Sequence, residues 1–193
     1  MAINILIANQ KGGSGKTTLA RELYFSFKRT GDAVSYIDLD TQAGDTSQID
    51  DHAIVNVIDN PGALTSDLGD LMESADLVII PTRMTARDLP VLQTMMELAD
   101  KRAQCPILYV LTCWNRFKAA TAFLEVFDSF HVDHNCIIPN SEGFAQASAY
   151  DCSVTELYPR DAFVVTAALN FVNHARRLAG LPAEQQRPGK ATN

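Results

Sequence analysis

The sequence predicts an α/β fold with a mostly parallel central sheet covered by helices on both faces. Short β-type runs recur at Ile3–Ala8, Ala33–Leu39, Ile54–Ile58, Leu77–Ile80, Ile107–Thr112 and Cys136–Ile138. Stretches of helical length lie between most of them, an alternation that suits strands buried on both faces. A glycine-rich loop follows the first run and opens the first helix, which is where such sheets place their binding sites.

Within the predicted helix Thr17–Thr30, Leu19, Leu23 and Phe27 fall at four-residue steps. Leu89, Leu92, Met96 and Ala99 do the same job across Leu89–Arg102. Between Asp40 and Asp59 there are eighteen residues, part of which must form the next strand, so at most a short helix fits there. The last helix is expected near Arg160–Ala179, with Phe163, Val164, Ala167, Phe171, Ala175 and Leu178 on one stripe and Gly180 and Pro182 as its stop. The polar segment from Pro182 to Asn193 reads as a flexible tail, leaving one domain over residues 1–181. There are no internal repeats and no linker-like stretch.

Sixteen Lys and Arg face 23 Asp and Glu, a formal charge of −7, which argues against a uniformly basic surface but not against a local cationic patch. An apolar fraction of 47% excludes a mainly disordered chain. No apolar run is long enough to span a bilayer, and no cationic segment precedes Ile3–Ala8, so neither a membrane span nor a signal peptide is expected. Cys105, Cys113, Cys136 and Cys152 are dispersed and suit reduced thiols in the cytoplasm; the four histidines form no ligand cluster.

Gly12, Gly13, Ser14, Gly15, Lys16 and Thr17 stand between strand and helix. The GxxxxGK[ST] pattern would need a glycine where the chain has Gln10, so the match is a variant, but its physics is intact. Glycines let backbone amides wrap phosphate oxygens, Lys16 can bridge the outer phosphates, Thr17 can ligate magnesium, and the helix dipole favours the anion. Asp59, at the end of a run and before Asn60-Pro-Gly62, suits a carboxylate that positions magnesium directly or through water. Asp38 and Asp40 end an earlier run, and either can sit near the metal or hold a water for attack on phosphorus.

Together these segments resemble the deviant Walker A ATPases of the ParA/MinD family, most closely its small ParA-type members without an N-terminal DNA-binding domain. The matching stretches are Lys11-Gly-Gly-Ser-Gly-Lys-Thr-Thr18, Asp38-Leu-Asp-Thr-Gln42, Asp59-Asn-Pro-Gly62 and Leu77-Val-Ile-Ile-Pro81, with a looser match from Ile138 to Glu156. The resemblance implies a P-loop NTPase fold of the deviant Walker A type, with ATP and Mg2+ as cofactors. It makes Lys11 the signature lysine that crosses a dimer interface to the partner's nucleotide, and Lys16 the ordinary loop lysine. Thr17, Asp38 and Asp59 become magnesium-supporting positions, Asp40 the water-positioning aspartate, and Thr18 a further nucleotide contact in the loop.

The family also implies a slow, partner-stimulated ATP hydrolase whose ATP-bound homodimer binds nonspecific double-stranded DNA and segregates plasmids with a centromere-binding adaptor. A nucleoid-associated cytoplasmic protein is then expected, with membrane attachment disfavoured by the polar tail. Arg83, Arg87, Arg116, Lys118, Arg176 and Arg177 are the candidate DNA contacts, although the arginine pair also suits a helix C-terminus. Asn115 is a candidate base-side contact, and Trp114 fits adenine, a partner or simple packing. Departures from the family are the short Asp40–Asp59 link and the missing arginine within Asn140–Phe144. Three other readings share these residues: a positioning ATPase for a protein assembly, a metabolic P-loop ligase, and a structural interaction protein with a degenerate ATP site.

Overall fold

In the computed structural model, which describes residues 1–40, 46–62, 67–83, 85–115, 124, 125, 127 and 135–184, every one of the six apolar runs becomes a strand. These are β1 (Ile3–Ile7), β2 (Val34–Asp38), β3 (Val55–Asp59), β4 (Leu77–Arg83), β5 (Ile107–Trp114) and β6 (Asn135–Pro139). All pair in parallel, in the order β2-β3-β1-β4-β5-β6. Parallel order places all C-terminal strand ends, and the loops that follow them, along one rim.

Side chains alternate between two cores. Ile5 and Ile7 face one layer, formed by α1 (Lys16–Thr30), α4 (Glu142–Ala149), α5 (Val154–Leu157) and α6 (Ala162–Leu178). Leu6 and Ala8 face the other, with α2 (Leu68–Ser74) and α3 (Leu89–Arg102). Leu23, Phe27, Met72 and Phe171 are fully buried, each stabilising the fold by roughly 1.5–3 kcal/mol. Gly31 ends α1 in the left-handed region at φ 87°, which lets the Asp32 amide reach the Phe27 carbonyl at 3.0 Å.

The structure departs from the sequence reading at the end of β4 and on the last helix. β4 continues past Ile80 through Pro81 to Arg83. β1 pairs with β4 only as far as Ile79, and the Pro81 carbonyl on that side accepts the Asn9 side-chain amide instead. The missing proline N–H therefore breaks no ladder bond. After Asp40, residues 46–50 contain no helix: Gln48 bridges Tyr36 in antiparallel sense, shielding the open edge of β2. On α6, Phe163 lies outside at 54% exposure, while Val164, Ala168, Phe171, Val172 and Ala175 form the buried stripe together with Arg176.

The chain also stays docked past residue 181. Glu184 is buried, accepts the Ser26 hydroxyl at 2.8 Å, pairs with Arg29 and donates its amide to Asn173 at 2.6 Å. Residues 185–193 of the expected tail lie outside the described residues.

Glu22 of α1 is buried and accepts the Ser153 hydroxyl and the Val154 amide, both at 2.8 Å. Burial pushes its pKa from 4.5 up to about 6, against those bonds and the Arg29 charge. Between these values the folded protein keeps a proton that the unfolded chain releases, so stability falls as pH rises through the window. Urea unfolding should show Glu22→Gln gaining about 2 kcal/mol on the wild type from about pH 4 to about pH 7. A difference that does not change with pH would contradict this assignment.

Candidate functional site

The loop from Ala8 to Gly15 sits on the rim between β3 and β4, fixed by side chains from neighbouring strand ends. Asn9 is buried; its side-chain amide donates to the Pro81 carbonyl at 2.6 Å and its carbonyl accepts the Lys11 amide at 2.8 Å. On the far side, the Thr112 hydroxyl lies 2.8 Å from the Ser14 carbonyl and 3.0 Å from that of Thr82. Gly13 and Gly15 hold φ of 71° and 99°, a region that side chains resist. Gly62 closes the site: a Cβ there would lie 3.2 Å from the Gly12 nitrogen and Cα and 3.2 Å from Lys16 Nζ.

Gly15 puts no side-chain cap on α1, leaving first-turn amides for an anion. Lys16 is buried and donates to the Lys11 carbonyl at 3.2 Å. Burial lowers its pKa, while the charges of Asp59 and Asp40 pull the other way. Asp59 is also buried; burial pushes its pKa up to about 6, opposed by hydrogen bonds from Thr17 and Tyr36. The Tyr36 hydroxyl donates to Asp59 Oδ2 at 3.1 Å.

Asp38 pairs in register with Asp59 across β2 and β3. One of its oxygens accepts the Asp40 amide at 2.9 Å and the other the Thr46 hydroxyl. Its position is beside Asp59, inside a bonded turn. Lys11 forms an ion pair with Asp88, a buried carboxylate that also accepts the Thr85 hydroxyl.

The donor set fits a magnesium-bound nucleotide. Asp59 Oδ1, Ser14 Oγ and Asn60 Oδ1 are buried around the loop without hydrogen-bond partners among the described residues. Magnesium keeps several waters and shares phosphate oxygens with one or two protein ligands, which Thr17 and Asp59 can supply. Beside the loop, a cleft of about 210 Å³ is lined by Thr18, Arg83, Cys113 and Asn140, among others. Asn115 is not part of that lining; Asn140 occupies the corresponding place after β6.

The structure divides the candidate DNA contacts. Arg87 and Arg177 are exposed, with Arg177 2.8 Å from His174. Arg176 is only 3% exposed, pairs with Asp32 at 2.7 Å, donates to the Pro182 carbonyl at 2.5 Å and stacks over Phe27. It is an internal cation tying α6 to α1, so the expectation of a surface contact there is corrected. Arg83 lies against the phosphate loop, and Arg116 and Lys118 lie outside the described residues.

Fold and site together define a P-loop nucleotide-binding α/β domain. The family model described as the CobQ/CobB/MinD/ParA nucleotide binding domain matches residues 5–154, and the chain belongs to that family. ATP and Mg2+ are the cofactors of this site. Among solved structures, an ATP complex of a Cyanothece McdA variant is similar at TM-score 0.74 and 15% identity, covering 96% of this chain and 99% of that one. A putative plasmid partition protein of Borrelia burgdorferi bound to AMPPNP matches at 0.71 and 16%, covering 90% and 98%. The septum site-determining protein MinD of Pyrococcus horikoshii with Mg-ADP matches at 0.68 and 17%, covering 93% and 98%. No protein of curated function is matched.

Gly62, Thr112, Asn9 and Asn60 belong to the site but were not singled out as site residues by sequence. The signal for Gly62 was its place in Asp59-Asn-Pro-Gly62; Thr112 carried none beyond closing a strand. Gly62→Ala should weaken ATP binding by about tenfold or more, because a Cβ displaces Gly12 or Lys16, with little change in melting temperature. Thr112→Val should cost about 1 kcal/mol of the same affinity by freeing the Ser14 carbonyl. Calorimetric titration with Mg-ATP checks both, and wild-type affinity in Gly62→Ala would refute the close-approach argument.

Proposed function

We propose that this chain is a ParA-like ATPase that closes into an ATP-bound homodimer, carries plasmid DNA over nonspecific DNA with a centromere-binding adaptor, and resets by hydrolysis. The observation that carries the reading is the pair of loop lysines in different places. Lys16 lies buried under its own loop, while Lys11, 35% exposed, is paired with the buried Asp88 at the start of α3. A second lysine held apart from the loop's own phosphate cradle is what a site completed by another subunit needs, because a triphosphate concentrates more charge than one ammonium neutralises.

In this reading Lys16 and the loop amides hold the phosphates, and Thr17 and Asp59 hold magnesium with Asp38 behind them. Bound magnesium neutralises charge on the phosphate oxygens. Asp40 orients the attacking water. Hydrolysis removes the contact with the terminal phosphate and loosens the dimer. Likeness to the Borrelia plasmid partition protein supports plasmid DNA as cargo. A second reading, a positioning ATPase for a protein assembly, gains weight from the burial of Arg176, which removes one cation from an already acidic surface.

The test is fluorescence anisotropy of a random-sequence duplex at low salt, without nucleotide, with Mg-ADP and with Mg-ATP. Binding is expected only with Mg-ATP, lost in Lys11→Ala and weakened by added salt. Absence of binding in all three states, with ATP binding verified separately, would rule out a nucleoid carrier and favour protein cargo.

A further inference from the structure

We propose that Arg83 is a further phosphate-binding residue of this site, its guanidinium gripping the nucleotide's phosphate chain from the β4 side. The proposal rests on the reading of the loop as an ATP site. Arg83 ends β4 in register with Thr112, the residue whose hydroxyl anchors the loop at Ser14. A Cβ on Gly13 would stand 3.7 Å from Arg83 Nη2 and 3.9 Å from Cζ, so the guanidinium lies directly on the glycine face of the loop. The same side chain lines the cleft shared with Gly15 and Thr18.

Charge explains why this position is informative. Arg83 is exposed and, among the described residues, no carboxylate pairs with it. It adds a cation beside the N-terminus of α1, where positive potential already gathers. Asp38 and Asp59 stand on the opposite flank, on β2 and β3. Two strand spacings, roughly 10 Å, separate β3 from β4. An anion on the loop is thus flanked by magnesium-supporting carboxylates on one side and by a planar five-donor cation on the other. A guanidinium can hold two phosphate oxygens at once, which an ammonium cannot.

The experiment compares wild type, Arg83→Ala, Arg83→Lys and Lys16→Ala by competition against a fluorescent ATP analogue in magnesium buffer. ATP, ADP and tripolyphosphate serve as competitors, and circular dichroism verifies folding. Arg83→Ala should weaken ATP and tripolyphosphate by the same factor, about tenfold, and Arg83→Lys should recover only part of it. Unchanged ATP affinity in Arg83→Ala would overturn the proposal. So would a loss confined to ATP and ADP with tripolyphosphate unaffected, which would put Arg83 on the nucleoside. Wild-type affinity in Lys16→Ala would instead sink the ATP reading of the loop, and the Arg83 proposal with it.

Discussion

The loop can wrap a polyphosphate only while nothing larger than hydrogen stands between Gly12 and Gly62. The space a Cβ at Gly62 would need is already filled by the Gly12 backbone and the Lys16 ammonium. That approach ties β1 to β3 at the rim, so the end of one strand sets the height of the loop and the end of the other sets the position of Asp59. The register Ile7↔Asp59 makes the two ends level. From there the geometry propagates outward: Asp38 is level with Asp59 on β2, and Thr112 reaches back from β5 to Ser14. The site is thus a property of sheet register more than of any one loop residue.

Burial acts on the charges in the same place with opposite signs. It lowers the pKa of Lys16 and raises that of Asp59 to about 6, so each charge is held in a poorly solvated position. Groups of this kind are strained until a counter-charge arrives. A polyphosphate satisfies the ammonium and a divalent cation satisfies the carboxylate, so the two ligands suit the site best as a complex. The unpartnered Oδ1 of Asp59 and hydroxyl of Ser14 point to the same requirement.

How much of this was legible in the sequence depended on whether the signal was local. The six strands and the long helices follow from short apolar runs and their spacing, and the phosphate loop from contiguous glycines and Lys16-Thr17. Long-range pairings left no local trace. Arg176 looked like a helix-end cation because Arg177 follows it, yet only packing against Phe27 and Asp32 of another element makes it internal. Phe163 fitted the apolar stripe by spacing but falls one step off the stripe that the α6 packing uses. Pro81 hid the last turn of β4, because its tolerance depends on where the neighbouring strand stops pairing. Asp88 carries no local signal, because its partner Lys11 is far away in sequence.

That last pairing bears on how a dimer could form. Asp88 is 4% exposed at its side chain, so removing Lys11 leaves a buried carboxylate with Thr85 as its remaining side-chain partner among the described residues. Breaking a buried ion pair from one side costs more than the pair contributes, because the abandoned charge has no solvent to turn to. Lys11 therefore cannot swing freely toward another subunit: its exit is favourable only when a polyphosphate offers it a stronger counter-charge and when Asp88, at the start of α3, finds compensation or moves outward. In the proposed dimer, nucleotide and partner would then arrive together. A loop built this way keeps its second lysine satisfied in the isolated subunit and, in the proposed dimer, would couple the start of α3 to assembly, linking the phosphate site to the far side of the sheet.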